Sequence, residues 1–322
     1  MSDTLSDVLR AVRLTGAIFF AVDASAPWVV EAPAGCDVGP HIMPGVDHVI
    51  EYHVVTSGSC WGGLVDEPSV KLEAGDIIVF PQGDSHVMAS APGMRGSPDI
   101  EPFKTLRHAK LPLAMSLTGG GPDHVQLICG FLGCDARPFN PLLATLPRVL
   151  KLRAAGDSNS VLRRLVEMAV AECEAPKPGS ESVLSRLSEL LFVEMVRSYV
   201  SELPPGGTGW FAGLRDESIG RALQKLHERP AHPWSLEELA KDIAVSRSTL
   251  AERFAQLVGV PPMQYLAQWR IQLAASLLRS GKTGLAEIAE RVGYGSEAAL
   301  SRAFKRQVGV APAHYRSRES AS

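Results

Sequence analysis

Residues 250–265 of the chain read LAERFAQLVGVPPMQY, and fifty positions later residues 300–315 read LSRAFKRQVGVAPAHY. Both stretches follow L-x3-F-x3-V-G-V-x-P-x2-Y, so seven of their sixteen positions match. Self-similarity at a fixed spacing is the sequence signature of a duplicated structural unit. We therefore predict that one small unit occurs twice near the carboxyl end of the chain.

The repeated unit has the pattern of a helix-turn-helix. In residues 235–258, apolar positions three and four apart predict a short helix, which Ser235 and Glu238 begin as a capping box. A turn follows, and Ser246 caps a second helix. Residues 285–308 repeat this layout, with glycines in the turn. A pack of ordinary amphipathic helices would explain one copy equally well, whereas two copies favour DNA binding through the second helix of each.

The carboxyl-terminal third resembles the DNA-binding domain of the AraC/XylS family of bacterial transcription regulators. The resemblance runs over residues 219–316 and is carried by Gly293, Tyr294, Leu300, Phe304, Gly309, Pro312, Tyr315 and Arg316. It implies two helix-turn-helix units joined by one long helix, for which we predict residues 263–278. We therefore expect a sequence-specific transcription regulator that binds double-stranded promoter or operator DNA, with RNA polymerase as a further partner if the protein is an activator.

The candidate DNA-contacting residues are side chains predicted to be exposed on the second helix of each unit. They are Arg247, Ser248, Thr249, Ala251, Glu252, Arg253, Ser296, Glu297, Ala298, Ser301, Arg302, Lys305 and Arg306. Arg302 is the strongest candidate for a contact to guanine. The other basic residues meet phosphates or are solvated surface charges. Glutamates can accept from cytosine, but they oppose phosphate.

The charge of the chain is distributed unevenly. The 322 residues carry 32 Lys and Arg against 35 Asp and Glu, a net charge of −3. From residue 214 onwards there are 16 basic and 11 acidic residues, which is the sign that phosphate binding needs. No basic leader or long apolar run is visible, so we expect a cytoplasmic protein with no membrane partner and with its five cysteines reduced.

The amino-terminal half has short apolar runs broken by Gly, Pro and Asp, which predict an antiparallel β-barrel or sandwich. Residues 75–86 read GDIIVFPQGDSH and fit G-x5-P-x-G-x2-H. This pattern resembles the second motif of the cupin fold, a small jelly-roll barrel. The resemblance implies a strand after Gly75, a turn at residues 81–83, and His86 at the start of the next strand, pointing into the barrel.

The first cupin motif is incomplete. His53 is present, but Val55 stands where the second histidine belongs, and the glutamate that should follow is missing. One or two imidazoles make a poor metal site, so we expect a binding module without metal, cofactor or catalytic residues. The candidates for an effector pocket are His53, Cys60, His86 and Cys129. The alternative is that the histidines are hydrogen-bonded barrel residues.

Residues 125–147 resemble the cupin-type sensor domain of one branch of AraC-family regulators, some of which respond to reactive chlorine species or aldehydes. Cys129, expected at the end of a strand, matches a cysteine of the redox-sensing members. Their second cysteine has no clear counterpart, and Cys36 and Cys60 are the nearest candidates. A sensing thiol must be accessible and partly thiolate, and an inert buried cysteine is the alternative. The expected effector is a small molecule or an oxidant.

These patterns predict an α+β multidomain protein. We expect a cupin-like sensor domain over residues 1–150, a helical hairpin and Pro/Gly linker over 151–209, and the DNA-binding domain over 215–318. The hairpin is so apolar that it must pack on the barrel or on a second subunit. The family resemblance implies dimerisation through this half of the chain, so we expect a homodimer. The loop 91–123 is expected to be mobile or a lid.

Two other functions remain open. One is a metal-dependent cupin enzyme, a dioxygenase or isomerase, fused to a DNA-binding domain. The other is a constitutive DNA-binding protein that has no effector. The incomplete cupin motif argues against the first, and the sensor-like domain argues against the second. We expect a regulator that is not an enzyme.

Overall fold

The computed structural model describes residues 3–105, 112–153, 160–204, 206–281 and 283–319. The strands in this part of the chain are β1 Thr15–Ser25, β2 Val29–Ala32, β3 His48–Leu64, β4 Val70–Glu73, β5 Asp76–Phe80, β6 His86–Ala89, β7 Leu113–Thr118, β8 His124–Cys134 and β9 Leu150–Arg153. The helices are α1 Thr4–Ala11, α2 Gly35–Ile42, α3 Glu101–Thr105, α4 Pro141–Thr145, α5 Val161–Glu174, α6 Ser180–Glu202, α7 Trp210–Arg215, α8 Glu217–Glu228, α9 Leu236–Asp242, α10 Arg247–Val258, α11 Pro262–Arg279, α12 Leu285–Arg291, α13 Glu297–Val308 and α14 Pro312–Glu319. Over the residues described, none of these helices has both the length and the apolarity needed to cross a bilayer.

The chain divides into two units. The sheet unit comprises residues 14–134 and 146–202, and the helical unit comprises residues 1–13, 135–145 and 203–322. From sequence, all of residues 1–150 were expected in one domain. Residues 1–13 and 135–145 group with the helical unit because α1 packs on α8 and α11, and α4 packs on α7.

Strand β3 is 17 residues long and takes part in two sheets. Its first part, up to Gly58, pairs antiparallel with β5 and β8, and its second part pairs with β4 and β6. The change follows an irregularity after Val55. At Gly58, φ is +75°, and a Cβ would lie 2.0 Å from the carbonyl oxygen of His124. A bulge followed by glycine allows one strand to turn from one sheet into another.

The two faces of β3 pack against different partners, because successive side chains of a strand alternate in direction. Val49 and Val55 belong to the large apolar core on one face. Tyr52 lies on the other face, where its hydroxyl is 2.7 Å from Oγ of Ser188 on α6. Both faces are thus covered, which explains the unbroken burial of residues 49–55.

The strands differ from the sequence expectation in three respects. The unpredicted strand β7 lies within the expected loop 91–123, of which residues 106–111 lie outside the described residues. It pairs parallel to β1, so the sheet is mixed rather than antiparallel throughout. Cys129 lies in the middle of β8, not at the end of a strand. The short segments β4 and β9 carry too few apolar residues to be found by hydrophobic runs alone, and β7 lies in a stretch rich in Gly and Pro. Closure into a jelly roll stays a prediction.

The two copies of the sequence repeat adopt the same local structure. Helices α10 and α13 begin at Ser246 and Ser296, whose hydroxyls accept from the backbone N–H three residues on. Both helices end at a glycine, and the helix that follows each of them starts with a proline, as is usual for a first helical position. The repeated tyrosine then packs edge-on against the repeated phenylalanine, with ring centroids 5.7 Å apart in the first copy and 5.3 Å in the second.

Helix α11 joins the two copies and packs with both. In the second copy, Ile271 and Leu278 of α11 share an apolar core with Leu300 and Phe304. In the first copy, Tyr265 of α11 contacts Phe254 of α10. Its hydroxyl accepts from the indole N–H of Trp210 at 2.9 Å and lies 2.8 Å from Nε2 of His227. The expected helix 263–278 therefore corresponds closely to α11.

A buried glutamine on α11 binds two segments from the first half of the chain. Gln272 is fully buried, donates from Nε2 to the carbonyl oxygen of Ala11 at 3.1 Å, and accepts at Oε1 from the N–H of Phe139 at 3.0 Å. At the end of α11, Arg279 forms an ion pair with Asp135, and both side chains are 2% exposed. Buried polar groups destabilise a fold unless they have partners, so residues 1–13 and 135–145 are integral parts of the helical unit.

The turns of the two helix pairs share a backbone path but not a residue type. Ala244 and Gly293 have φ of +59° and +81°, and the residue after each donates its N–H to the carbonyl five positions back. Alanine occupies this left-handed position in the first turn at a cost of roughly 1–2 kcal/mol. In the second turn a Cβ on Gly293 would lie 2.6 Å from backbone atoms of Ala231, so only glycine fits.

We expect Gly293→Ala to lower Tm by several degrees, because the new methyl group would collide with fixed backbone and the left-handed φ would become strained. Gly295→Ala is the matched control, since a Cβ there would meet nothing within 4 Å. Thermal unfolding of both variants, followed by circular dichroism, measures the difference. Equal losses in the two variants would show that the close approach to Ala231 is absent in solution.

Candidate functional site

The sheet unit contains a cavity of about 230 Å³ with a mainly apolar wall. The apolar lining includes Phe20, Val22, Trp28, Met88, Phe103, Met115, Leu117, Leu127 and Phe131. Ser97 and Asp99 also line the cavity and are exposed, which places its opening near them. A concave, largely apolar site with few polar groups is the usual form of a small-molecule site.

Two neighbouring buried ionisable side chains, Glu51 and His53, form part of the cavity wall. They are two residues apart on β3 and therefore point to the same face. Their exposed fractions are 2% and 9%, and in the strand register they lie opposite Phe131 and Cys129 of β8. Glu51 was not predicted from sequence, because the cupin motif was read from His53 onwards. The alternation of Glu51, His53 and Val55 would have placed it on the same face.

A chain of hydrogen bonds fixes the tautomers of two histidines. Nδ1 of His86 lies 3.1 Å from the carbonyl oxygen of Asp84, which can only accept, so this nitrogen carries the proton. Nε2 of His86 is therefore an acceptor, and Nε2 of His53, 2.7 Å away, donates to it. A neutral imidazole has one N–H, which leaves Nδ1 of His53 as a lone pair without a hydrogen-bond partner among the described residues.

These groups are uncharged near neutral pH. Burial raises the pKa of Glu51 from 4.5 to about 8. Burial lowers the pKa of His86 to about 4, and burial together with the neighbouring His86 lowers the pKa of His53 well below its usual value. The 3.8 Å approach of Glu51 Oε2 to His86 Nε2 is thus a contact between neutral groups. Oε1 of Glu51 has no hydrogen-bond partner in the described part of the chain.

The two histidines, as they lie, do not suit a metal ion. Nitrogen ligands of a tetrahedral zinc ion, at 2.0–2.1 Å from the metal, are about 3.3 Å apart. The two Nε2 atoms are 2.7 Å apart and share a proton. Over the residues described, no group of three His, Cys, Asp or Glu side chains is arranged to hold a metal. The arrangement therefore does not fit the metal that enzymatic cupins carry.

Of the four residues predicted for an effector pocket, His53 and Cys129 lie on the cavity wall. His86 lies behind His53 and stacks on Phe80, with ring centroids 3.8 Å apart. Cys60 is 1% exposed, packs in the apolar core and is not among the described lining residues, contrary to expectation. The reason is that Cys60 lies in the second part of β3, which pairs with β4 and not with β8.

Four of the five cysteines have a raised pKa, which favours the thiol over the thiolate. Burial raises the pKa of Cys60 to about 12 and that of Cys173 to about 11, and it also raises the pKa of Cys129. Cys36 is exposed, but partial burial and the neighbouring Asp37 raise its pKa as well. Because the thiolate is the reactive form, this state does not favour a redox-sensing cysteine.

The candidate DNA-contacting residues lie on α10 and α13 or at their N-caps, and most of them are exposed. The exposed ones are Arg247, Ser248, Thr249, Glu252, Arg253, Ser296, Glu297, Ala298, Arg302, Lys305 and Arg306. Ala251 and Ser301 are half-buried. The hydroxyl of Ser296 accepts from the N–H of Ala299 and caps α13, so it serves the helix itself.

The basic residues on these helices differ in their partners. Arg253 donates from Nε to the carboxylate of Asp216, the N-cap of α8, at 2.9 Å. The side chains of Arg302 and Lys305 form no hydrogen bond or ion pair within the described part of the chain. Arg302 stands where the first copy has Glu252, fifty residues earlier. The exposed face of α13 is therefore basic, whereas that of α10 is mixed.

We expect the buried carboxyl of Glu51 to make stability depend on pH. Because its pKa is raised in the folded state, its contribution is fully present below pH 4.5 and is lost as the pH rises towards about 8. Glu51→Gln mimics the protonated form, so the Tm of the variant should gain on the wild type as the pH increases from 5 to 8.5. Thermal unfolding at several pH values measures this difference, and a constant difference would mean that Glu51 titrates normally.

Family models match most of the chain. A model described as a cupin matches residues 3–201, and a model described as a helix-turn-helix domain matches residues 239–318.

Several named regulators are similar along most of the chain. An AraC-like transcription regulator of Streptomyces lividans is 32% identical over 317 residues, which cover 98% of each chain. The HTH-type transcriptional regulator AlkR of Acinetobacter baylyi is 28% identical over 98% of this chain and 99% of its own. The RCS-specific HTH-type transcriptional activator RclR of Escherichia coli is 25% identical over 84% of this chain and 85% of its own. The chain therefore belongs to the AraC family of DNA-binding transcription regulators and carries a cupin-type amino-terminal domain.

Proposed function

We propose that the protein binds its operator through the helix pairs α9–α10 and α12–α13, acting as two helix-turn-helix units, and that a small apolar effector in the cavity of the sheet unit controls this binding. The structural repeat supports the first part, because both copies present a capped helix with an exposed outer face. The mainly apolar cavity wall that includes Glu51 and His53 supports the second.

Helix α13 contributes more to DNA affinity than α10. Its outer face carries Arg302, Lys305 and Arg306, which favour a polyanionic partner. On α10, Glu252 opposes phosphate, and Arg253 is already bound to Asp216. Arg302 reads a guanine, since its guanidinium has no partner among the described residues and is free to donate two hydrogen bonds to one base edge.

The cavity binds an effector and does not catalyse a reaction. His53 and His86 use their Nε2 atoms on each other, and the protonated Glu51 lies beside them, so this arrangement offers no charged base or metal-binding pair. The relatives are named as transcription regulators. A small molecule is favoured over an oxidant, because burial keeps Cys129 in its thiol form.

A homodimer forms through α5 and α6. Large apolar side chains are exposed on both helices, namely Val161 and Met168 on α5 and Val183 and Leu190 on α6. Each pair is seven residues apart, or about two helical turns, so it lies along one face. A second copy of the chain would cover this exposed apolar face, which water otherwise contacts at a cost in free energy.

We expect Arg302→Ala to weaken binding at one operator position by about 1–3 kcal/mol, because one base contact is lost. Arg291→Ala removes the same charge from α12, where Arg291 is paired with Glu287, and serves as the control. Operators should first be selected from genomic fragments, and then every single-base substitution should be measured with both variants. A loss in Arg302→Ala that is the same for all sequences would mean that Arg302 contacts only phosphate.

We expect the double substitution Met168→Glu and Leu190→Glu to shift the protein from dimer to monomer, because four carboxylates would face one another across the interface. Analytical ultracentrifugation measures the mass in solution. Val70→Glu is a control, because Val70 is also exposed but lies on β4. A monomeric wild-type protein, or an unchanged dimer in the double variant, would contradict this interface.

A further inference from the structure

Two buried atoms on the cavity wall, Nδ1 of His53 and Oε1 of Glu51, have no hydrogen-bond partner among the described residues. We propose that this cavity binds an uncharged, mainly apolar molecule with one hydroxyl group, an alcohol or a phenol, and that the hydroxyl donates its proton to Nδ1 of His53. The proposal rests on the proposed function, because it specifies the chemistry of the effector that the cavity would take.

The lone pair on Nδ1 of His53 is fixed from behind the cavity. The carbonyl oxygen of Asp84 holds the proton of His86 on Nδ1, and His86 in turn takes the Nε2 proton of His53. His53 cannot present a donor to the cavity without breaking its 2.7 Å bond to His86. A ligand that satisfies this buried nitrogen must therefore supply the hydrogen itself.

Glu51 adds a second requirement. Oε1 of this carboxyl has no partner among the described residues, and the side chain is 2% exposed. A protonated carboxyl has one donor and an acceptor oxygen. A hydroxyl both donates and accepts, so it can serve His53 and Glu51 together. An ether or a ketone offers no donor to His53, and a carboxylate or phosphate would place its lone pairs against the lone pair of Nδ1.

The charges around the cavity argue in the same direction. The described lining contains no Lys or Arg to balance an anion. Two further carboxylates line the wall. Asp99 is exposed to water at the opening, and Glu31 is already held by Arg95 at 2.9 and 3.0 Å and by the N–H of Gly96 at 3.2 Å. An ammonium group would have to give up its water beside an apolar wall. The polar group of the ligand is therefore expected to be neutral, because a neutral group can be buried against this wall without leaving an unpaired charge.

The rest of the ligand is hydrocarbon. The cavity is lined by residues of the apolar core, among them Trp28, Met88 and Phe131. Burying a hydrocarbon body against them favours binding but does not fix the orientation of the ligand. The single hydroxyl then fixes the orientation of the ligand, because it forms the hydrogen bond to His53. Affinity for the body and selectivity for the head group are thus separable quantities.

Four probes with the same aromatic body test the head group. They are 4-ethylphenol, 4-ethyltoluene, 4-ethylbenzoate and 4-ethylbenzylammonium, titrated calorimetrically into the full chain at pH 7. We expect the phenol to bind roughly tenfold tighter than the toluene, the value of one well-made buried hydrogen bond. We expect the two ions to bind more weakly than the phenol. Equal affinities for phenol and toluene, or an ion as the tightest ligand, would overturn the proposal.

Variants assign the preference to named atoms. His53→Phe removes the acceptor and should bring the phenol-to-toluene ratio close to one. Glu51→Leu should lower the ratio, and Glu51→Gln should restore most of it, because an amide again offers a donor and an acceptor. Cys129→Ala is the control on the same wall and should change both affinities alike. Each ratio compares two ligands on one protein, so a general loss of folding does not imitate the result.

The outcomes also separate this proposal from the proposed function. If phenol and toluene bind equally well, the hydroxyl selectivity fails while the apolar effector cavity stands. If no probe binds, both the selectivity and the cavity's role fail, whereas the operator measurements with Arg302→Ala are unaffected. If the ratio survives in His53→Phe, the hydrogen bond lies elsewhere and the assignment to His53 is wrong.

Discussion

The two-residue alternation of β3 is the constraint on which the sheet unit depends. One face of the strand carries Glu51 and His53 into the cavity, and the other carries Tyr52 to the hydroxyl of Ser188 on α6. A shift of one residue in its pairing would exchange these faces and bury the wrong groups on both sides. The bulge after Val55 and the turn at Gly58 then send the same strand into the second sheet, so a single segment sets the position of the site and the path of the chain.

The helical unit was largely predictable from sequence, because the positions that match between the two copies are those whose side chains pack together. Matched positions such as Phe254 and Tyr265 are those that contact each other, and their counterparts in the second copy make the same contact. The β-strands of the sheet unit were likewise predicted, from the cupin resemblance and from the short apolar runs. The short strand β7 and its parallel pairing with β1 were not, since parallel partners come together through the fold and not through any local signal. Glu51 was missed for a related reason, because its role follows from which face it shares and not from a complete motif.

Surface positions of the two copies have diverged where the buried ones have not. Leu250 and Leu300 are both fully buried, yet the exposed positions between and beyond the matched residues carry opposite charges, as Glu252 and Arg302 show. Packing constrains the buried positions to the same residues in both copies. The exposed positions are free of this constraint and can differ. The two copies therefore present unlike outer faces on the same scaffold. This separation also explains why the fold could be argued from pattern while individual base contacts could not.

The buried amide of Gln272 has a consequence for any shortened form of the protein. Its two partners, Ala11 and Phe139, precede the linker, as does Asp135, which neutralises Arg279. A fragment that begins at the linker would keep every helix of both repeats. It would, however, expose one side of α11 to water, because the side chains of Gln272 and Arg279 would lose their partners. DNA affinities measured on such a fragment would therefore describe a protein in which the surroundings of α11 have changed. Only chains that retain α1 and residues 135–145 keep the native contacts of the helix that joins the two repeats.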